Sequence, residues 1–297
     1  MKENTPHNLN NKNNNNENLK QSIYFALFQI AAFFSVAILL FVVVYIFFHG
    51  YKIVNWHFLT SMWSHQDITK GGIFPAILGS LLLGIGLAIL AIPIGVCTAI
   101  YLNEYAQENT MTRIIKLAIR NLAGVPSIVY GMFGLAFFVM FLKFGTSLFA
   151  ASLTLACMTL PWIITASEES LKAVPISFRE GSYALGATKW QTIKKIVLPS
   201  SMGGILTGAI LGISRAMGET APIIMVGATF YMDYIPLSIF DKFMALPYHL
   251  FILATQHSSP YAKEYAAGTA LVLIAVVFLL NIGVFILRYK LRKRKDW

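Results

Sequence analysis

Two residues of opposite charge, Arg215 and Glu219, stand in the run Ser-Arg-Ala-Met-Gly-Glu-Thr-Ala-Pro at 214–222, inside an otherwise apolar window that extends from 196 to 232. On an α-helix, a spacing of i, i+4 sets both side chains on one face, where they can pair. Ser214 and Thr220 add hydroxyls beside them, while Gly218 and Pro222 loosen the backbone and expose amide N–H groups. A guanidinium, hydroxyls and free amides together suit a tetrahedral oxyanion. The acceptor-only carboxylate of Glu219 selects an anion that still carries a proton and repels one that carries none. The alternative role for the pair is a structural one, an internal ion pair that only holds helices in register.

The elements around this pair follow from composition. The chain has 297 residues, 57% of them apolar and 12% charged, with a mean hydropathy of +0.65. Soluble domains run nearer ~45–50% apolar and ~25% charged, which excludes an ordinary cytosolic enzyme and a disordered scaffold. Cys97 and Cys157, the two cysteines, both sit in apolar runs and read as small hydrophobes, which excludes a disulfide-stapled secreted domain.

Spans of roughly 20 residues are needed to cross ~30 Å of hydrocarbon. With Asp, Glu, Lys and Arg as fences, the windows are 21–51, 71–103, 121–142, 144–167, 196–232 and 265–287, the fifth broken only by Arg215 and Glu219. The expected fold is therefore all-α: a polytopic integral membrane protein with six transmembrane helices. From Pro199, Arg215 lies roughly 20 Å into the bilayer at ~1.5 Å per residue. A charge at that depth costs ~2.5–3.5 kcal/mol on insertion scales and ordinarily faces a substrate or ion path.

Loop charges set the orientation. One set of connections carries Lys2, Lys12, Lys20, Arg113, Lys116, Arg120, Lys172, Arg179, Lys189, Lys194, Lys195 and the basic tail 288–297; the opposite set carries only Lys52, Lys70, Lys143, Lys242 and Lys263. The first set reads as cytoplasmic, with both termini inside. The net charge of +10 is thereby accounted for without nucleic acid. The Asn-rich stretch 1–20 lacks an apolar face and is expected to be disordered. The segment 243–256, interrupted by Pro247, is too short to span and reads as an interfacial or re-entrant piece on the outer side. The six histidines fall in loops or at span edges and read as ordinary interface residues. The glycines at 79, 84, 86 and 95, with Pro93, suggest close helix packing in the second span.

The connection 168–199 is several times longer than the ~2–8 residues usual between bundle helices, yet it is not linker-like. Ser177 is placed to N-cap a short helix, with Glu180 completing a capping box. Phe178, Tyr183, Ala184 and Leu185 then present an apolar patch, Gly186 stops the helix, and 187–196 forms a second amphipathic helix before Pro199. Two short helices here make either a docking knob for a partner or a hairpin resting on lipid headgroups.

Glu180, Gly186, Ile196, Leu198 and Pro199 match the spacing E-A-A-x3-G-x9-I-x-L-P of the EAA loop, and in this the chain resembles the permeases of ABC importers; Gly181 and Ser182 replace the usual Ala-Ala. The segment Arg-Ala-Met-Gly-Glu-Thr-Ala-Pro at 215–222 resembles the signature of phosphate-specific ABC importer permeases, with the GETAP ending of the PstA-type subunit. Further similar stretches are 79–106, 123–135 and 160–175, within a region from 71 to 287. The resemblance implies a type I ABC importer permease fold over 71–287, preceded by a first transmembrane helix at 21–51. It also implies a coupling loop, 168–199, whose Glu180, Tyr183, Ala184, Leu185 and Gly186 meet an ATP-binding subunit. The substrate path would hold Arg215, Glu219, Thr220 and Ser214. Expected partners are a sister permease, PstC, two PstB ATPases, the extracytoplasmic phosphate-binding protein PstS, and membrane lipid. The chain holds no G-x-x-x-x-G-K-[ST] phosphate loop, so no catalytic residue, metal or cofactor is expected and ATP hydrolysis falls to a separate subunit. Other readings left by the residues are a permease for another oxyanion such as phosphonate and a secondary transporter with an Arg-Glu proton relay. An intramembrane enzyme would need a catalytic constellation such as His-Glu-x-x-His, which the sequence lacks.

Overall fold

The computed structural model describes residues 7–64, 67–232 and 234–293. The chain divides into two compact units, 1–49 and 50–297. The first unit is essentially one helix, α1 (His7–Gly50), whose part Gln21–Gly50 is long and apolar enough to span a bilayer. Helix therefore replaces the expected disorder over 7–20; residues 1–6 lie outside the described residues. Propagation from an apolar helix that is already formed avoids the nucleation cost, so even Asn, a weak helix former, can follow.

In the second unit a single short turn of helix, α2 (Trp56–Thr60), precedes α3 (Phe74–Ile100), which runs on as a π-helical turn (Tyr101–Tyr105), giving a 32-residue apolar rod. α6 (Leu148–Lys172) packs along it, and α9 (Leu198–Ala216) along α6. α12 (Ala262–Lys293) packs on α9 and absorbs the start of the basic tail expected at 288–297, of which 294–297 lie outside the described residues. Close approach is achieved where α3 carries no side chain: a Cβ at Gly84 would stand 2.9 Å from Met217 Sδ, and one at Gly95 would stand 2.6 Å from Ile163 Cγ2. Buried Leu83, Leu87, Ala91, Leu155, Ile163, Ala209 and Ile223 fill the space between these helices.

Three departures from the sequence reading bear on function. The third window, 121–142, is not one straight span. α4 (Thr110–Leu122) and α5 (Ser127–Gly134, continued as the π turn Leu135–Phe141) meet at a bend of 102° around Pro126. Proline lacks the N–H that a continuing helix needs and bars the preceding residue from helical geometry. Tyr130 Oη donates to the Leu122 carbonyl at 2.9 Å and holds the bend. Counting this pair as one span, the described residues hold six candidate membrane crossings.

The fifth window, 196–232, does not hold one helix either. The span begins as α8 (Lys189–Thr192), passes through the π turn Ile193–Val197 into α9 and stops at Ala216; α10 (Ala221–Val226) follows after a break. The second docking helix expected at 187–196 is thus the base of this span. Its capping box is Thr188 with Gln191, whereas the short helix before it, α7 (Ile176–Ala184), starts after Pro175 and draws no cap from Ser177.

Finally, α11 (Leu246–Thr255) is a short buried helix packed on α12 and α3, and Pro247 sits in its first turn, where it needs no N–H donor. It carries His249, which is in the core and not at an interface. The ring is 1% exposed, stacked on Phe230 at 4.9 Å and edge-on to Trp63 at 4.8 Å. Burial, with a smaller contribution from His257, pushes its pKa down to about 3.

Candidate functional site

A cavity of about 250 Å³ opens where the α4–α5 bend faces the break after α9; Ala123 to Ser127, Tyr130, Met158, Trp162, Arg215 and Glu219 are among the residues lining it. Arg215 occupies the last turn of α9 and Glu219 the break. Their spacing is not helical, because α9 closes at Ala216 with tight bonds from Gly218 N to Arg215 O (3.1 Å) and from Glu219 N to Ala216 O (3.1 Å). Of the amides expected to be exposed around Gly218 and Pro222, those of Gly218 and Glu219 are consumed by that closure. No ion pair joins Arg215 to Glu219 among the described residues. The guanidinium lies instead over the Trp162 ring, 4.8 Å from its centre.

Of the four residues expected on the substrate path, the structure brings Arg215 and Glu219 to the cavity. Ser214 is directed elsewhere: its hydroxyl donates to Asn281 Oδ1 at 2.8 Å and fastens α9 to α12. Thr220 precedes α10 without a side-chain cap bond and is not among the cavity-lining residues. Residues that sequence reasoning did not assign to the site are Trp162, Tyr130, Met158 and the 122–127 turn. The signal for the turn was Pro126 in mid-window; for Trp162 it was an aromatic just after Pro161 in an apolar run.

Electrostatically the cavity is suited to an anion with a proton to give. Arg215 supplies five fixed donors, Ser127 opens α5 so that the positive end of that helix faces the space, and Glu219 supplies an acceptor.

The connection expected at 168–199 is shorter in the structure, because 168–172 close α6 and 189–199 already belong to the next span, which leaves 173–188 between them as the second candidate region. α7 is followed, two residues past Ala184, by Gly186, whose φ of +78° is left-handed and whose Cβ direction is open; Gly186 N bonds to Tyr183 O at 2.9 Å. Glu180, Tyr183, Ala184, Leu185 and Gly186 are all exposed, as are Ile176 and Trp190. Leu185 is 90% exposed, and an exposed apolar cluster of this kind marks an interaction surface. Ser182 is buried, its hydroxyl 2.8 Å from Thr192 Oγ1, tying α7 to the base of the next span.

A helical membrane core, a cavity at a helix break lined by Arg215 and Glu219, and a short helix with exposed apolar residues between two spans are the features of a membrane transport permease. The chain belongs to the family described as "Binding-protein-dependent transport system inner membrane component", whose pattern matches residues 91–297. It is 38% identical over 243 residues, 78% of each chain, to the "Phosphate transport system permease protein PstA 1" of Mycobacterium tuberculosis (strain CDC 1551 / Oshkosh). It is 31% identical over 279 residues, 90% of this chain and 95% of the relative, to the "Probable ABC transporter permease protein YqgI" of Bacillus subtilis (strain 168). Among solved structures, a chain of the bacterial alginate ABC transporter superposes with a TM-score of 0.65 at 12% identity, covering 90% of this chain and 94% of that one. A chain of the MetNI methionine ABC transporter does so with 0.60 at 18%, covering 73% and 94%. The fold is that of type I ABC importer permeases. The chain is accordingly a multi-pass inner-membrane permease component, and membership implies an ATP-binding subunit and a substrate-binding protein as partners.

Proposed function

We propose that this chain is one half of the permease of an ATP-driven importer of inorganic phosphate. The observation that carries the reading is Arg215, held on the Trp162 face beside Glu219 in a cavity of phosphate-compatible polarity. A relative 38% identical over most of both chains bears a phosphate transport name, which supports the substrate. Hydrogen phosphate keeps a proton for Glu219 while its other oxygens meet Arg215; sulfate has no proton to offer and would be repelled.

In this reading the termini are cytoplasmic, and the core 71–287 pairs with a sister permease of the PstC type. Two ATP-binding subunits of the PstB type hydrolyse ATP, since the chain holds no phosphate loop of its own. A PstS-type binding protein delivers the anion from outside. Glu180, Tyr183, Ala184, Leu185 and Gly186 dock with an ATP-binding subunit, whose closure drives alternating access at Arg215. Uptake of radiolabelled phosphate by the reconstituted complex, with sulfate and phosphonate as competitors, tests it. Phosphate uptake that unlabelled phosphate suppresses and sulfate does not is the expected result. Equal suppression by sulfate, or better competition by a phosphonate, would overturn the substrate assignment.

A further inference from the structure

α7 turns an apolar face outward, but its one cation, Arg179, is turned inward. The guanidinium makes three bonds. Nη1 donates to the Val174 carbonyl at 2.7 Å; Nη2 donates to the Leu171 carbonyl at 3.0 Å and to Glu104 Oε1 at 2.8 Å. The Arg179 side chain is 15% exposed and that of Glu104 7%. Leu171 is in the last turn of α6 and Val174 lies two residues past its end, where the negative end of the helix attracts a cation. Glu104 belongs to the π turn that ends α3, and Asn103 Nδ2 donates to the same carboxylate oxygen at 2.8 Å. One planar fork thus fixes α7 to two spans at once, which a lysine, as a point donor, cannot do.

Both of those spans reach the cation of the candidate site. α6 carries Trp162, the ring beneath Arg215. α3 carries Gly84, against which the Met217 side chain packs directly after the last turn of α9. The same end of α3 receives a second link, Lys189 Nζ lying 5.1 Å from the centre of the Tyr105 ring. The outer face of α7 is free of these bonds, so a partner can load the helix there while Arg179 holds its inner face to α3 and α6.

We propose that Arg179, through Glu104 and the α6 carbonyl end, is the positioning residue that passes a displacement of α7 into the Arg215 cavity. The inference rests on the reading of α7 as the element that docks with an ATP-binding subunit. Loss of the fork leaves the docking face intact and lets α7 move without the two spans.

The test uses the complete transporter, with Cys97 and Cys157 replaced by Ser and a single cysteine introduced as Gly124→Cys, at a cavity-lining position whose Cβ direction meets only Asn121 O at 3.5 Å. The rate of thiol labelling is measured with and without ATP plus vanadate. In the Arg179→Gln variant the ATP-binding subunit should still copurify and basal ATP hydrolysis should stay close to wild type. The ATP-driven change in labelling should shrink by about two- to thirtyfold, the span typical of such couplings. Arg179→Lys should fall between the two. Arg179→Gln combined with Glu104→Gln should be no worse than either alone, because the residues act as one unit. A wild-type labelling response in Arg179→Gln overturns the inference, as does an additive double variant, or no ATP response in the parent complex. Loss of copurification in step with ATP hydrolysis also overturns it, since it shows a role in assembly only. A parent complex that shows the ATP response but imports no phosphate sinks the substrate reading and leaves this inference standing.

Discussion

The guanidinium carbon of Arg215 lies 4.8 Å from the centre of the Trp162 ring, so the cation of the broken span rests on an aromatic face of α6 and not on the carboxylate four residues further on. The difference matters chemically. A bidentate ion pair would occupy the donor edge of the guanidinium, whereas a ring beneath its plane leaves those N–H groups for a ligand. It also leaves Glu219 as an independent acceptor in the same cavity.

Replacing the ring tests this arrangement directly. Trp162→Phe keeps a π face and should retain most uptake. Trp162→Leu removes it and should raise the KM for phosphate by about two- to thirtyfold, the equivalent of the ~0.5–2 kcal/mol that such contacts contribute. A leucine variant with wild-type KM would show that the ring only fills space.

Much of this architecture was legible before any coordinates, because bilayer thickness forces long charge-free runs and those runs are visible in the chain. The stop at Gly186 was legible because Gly takes a left-handed conformation without strain, and here φ is +78°; the connection around it is shorter than the expected 168–199, since α6 runs to Lys172 and the next span starts at Lys189. What stayed hidden depends on contacts between distant segments. Nothing local says that Ser214 faces Asn281, 67 residues away, or that Arg179 meets Glu104, 75 residues away. Gly218 and Pro222 signalled a loosened backbone, but not that α9 ends outright at Ala216; the break at 217–220 has Met217 packed against α3 and Pro222 at the start of α10.

Gly186 permits a clean separation of backbone strain from docking. Its Cβ direction meets nothing within 4 Å, so a substitution there acts through φ alone within this chain. Asn tolerates the left-handed region and should preserve ATP-coupled uptake. Val should cost at least ~1 kcal/mol of local conformation and lower uptake while membrane insertion persists. Equal activity of the Asn and Val variants would mean that the α7 terminus does not need this geometry.

The His249 ring gives a pH dependence with a definite sign. It is neutral in the folded protein down to about pH 3, against an ordinary value of 6.5. Between those values the unfolded chain binds a proton that the folded one refuses, so stability falls as pH drops below 6.5 and levels off near 3. From pH 6.5 to 5 the loss is about 2 kcal/mol at ~1.36 kcal/mol per unit. His249→Phe, set among Trp63 and Phe230 with His257 the neighbouring titratable group, should flatten the dependence of Tm on pH in detergent over that interval. An unchanged slope would assign the acid sensitivity elsewhere.

Orientation is open to labelling. With both termini cytoplasmic, a cysteine replacing Lys263 should react with an impermeant thiol reagent in intact cells, and one replacing Glu180 should react only after permeabilisation; both positions are exposed. The reverse pattern would invert the topology and place α7 where no ATP-binding subunit could reach it.

The sharpest discrimination concerns whether Arg215 serves the anion or only the helices. If the residue were a register pin paired with Glu219, Arg215→Gln would leave a buried charge unpaired, and adding Glu219→Gln would restore assembly and uptake together. The structure gives the opposite expectation. Arg215 is exposed to the cavity and has no ion pair with Glu219 among the described residues, so its loss leaves no orphaned partner. Arg215→Gln should therefore insert and assemble normally while uptake falls by about ten- to a hundredfold, matching the ~1.5–3 kcal/mol of a hydrogen bond to a charged group. Arg215→Lys should recover part of it, since an ammonium keeps the charge but not the fork. Glu219→Gln alone should keep transport but weaken discrimination against sulfate, because a neutral amide repels a fully deprotonated anion less than a carboxylate does. The double variant should then remain as deficient as Arg215→Gln. Robust uptake by the double variant would return both residues to a purely structural role.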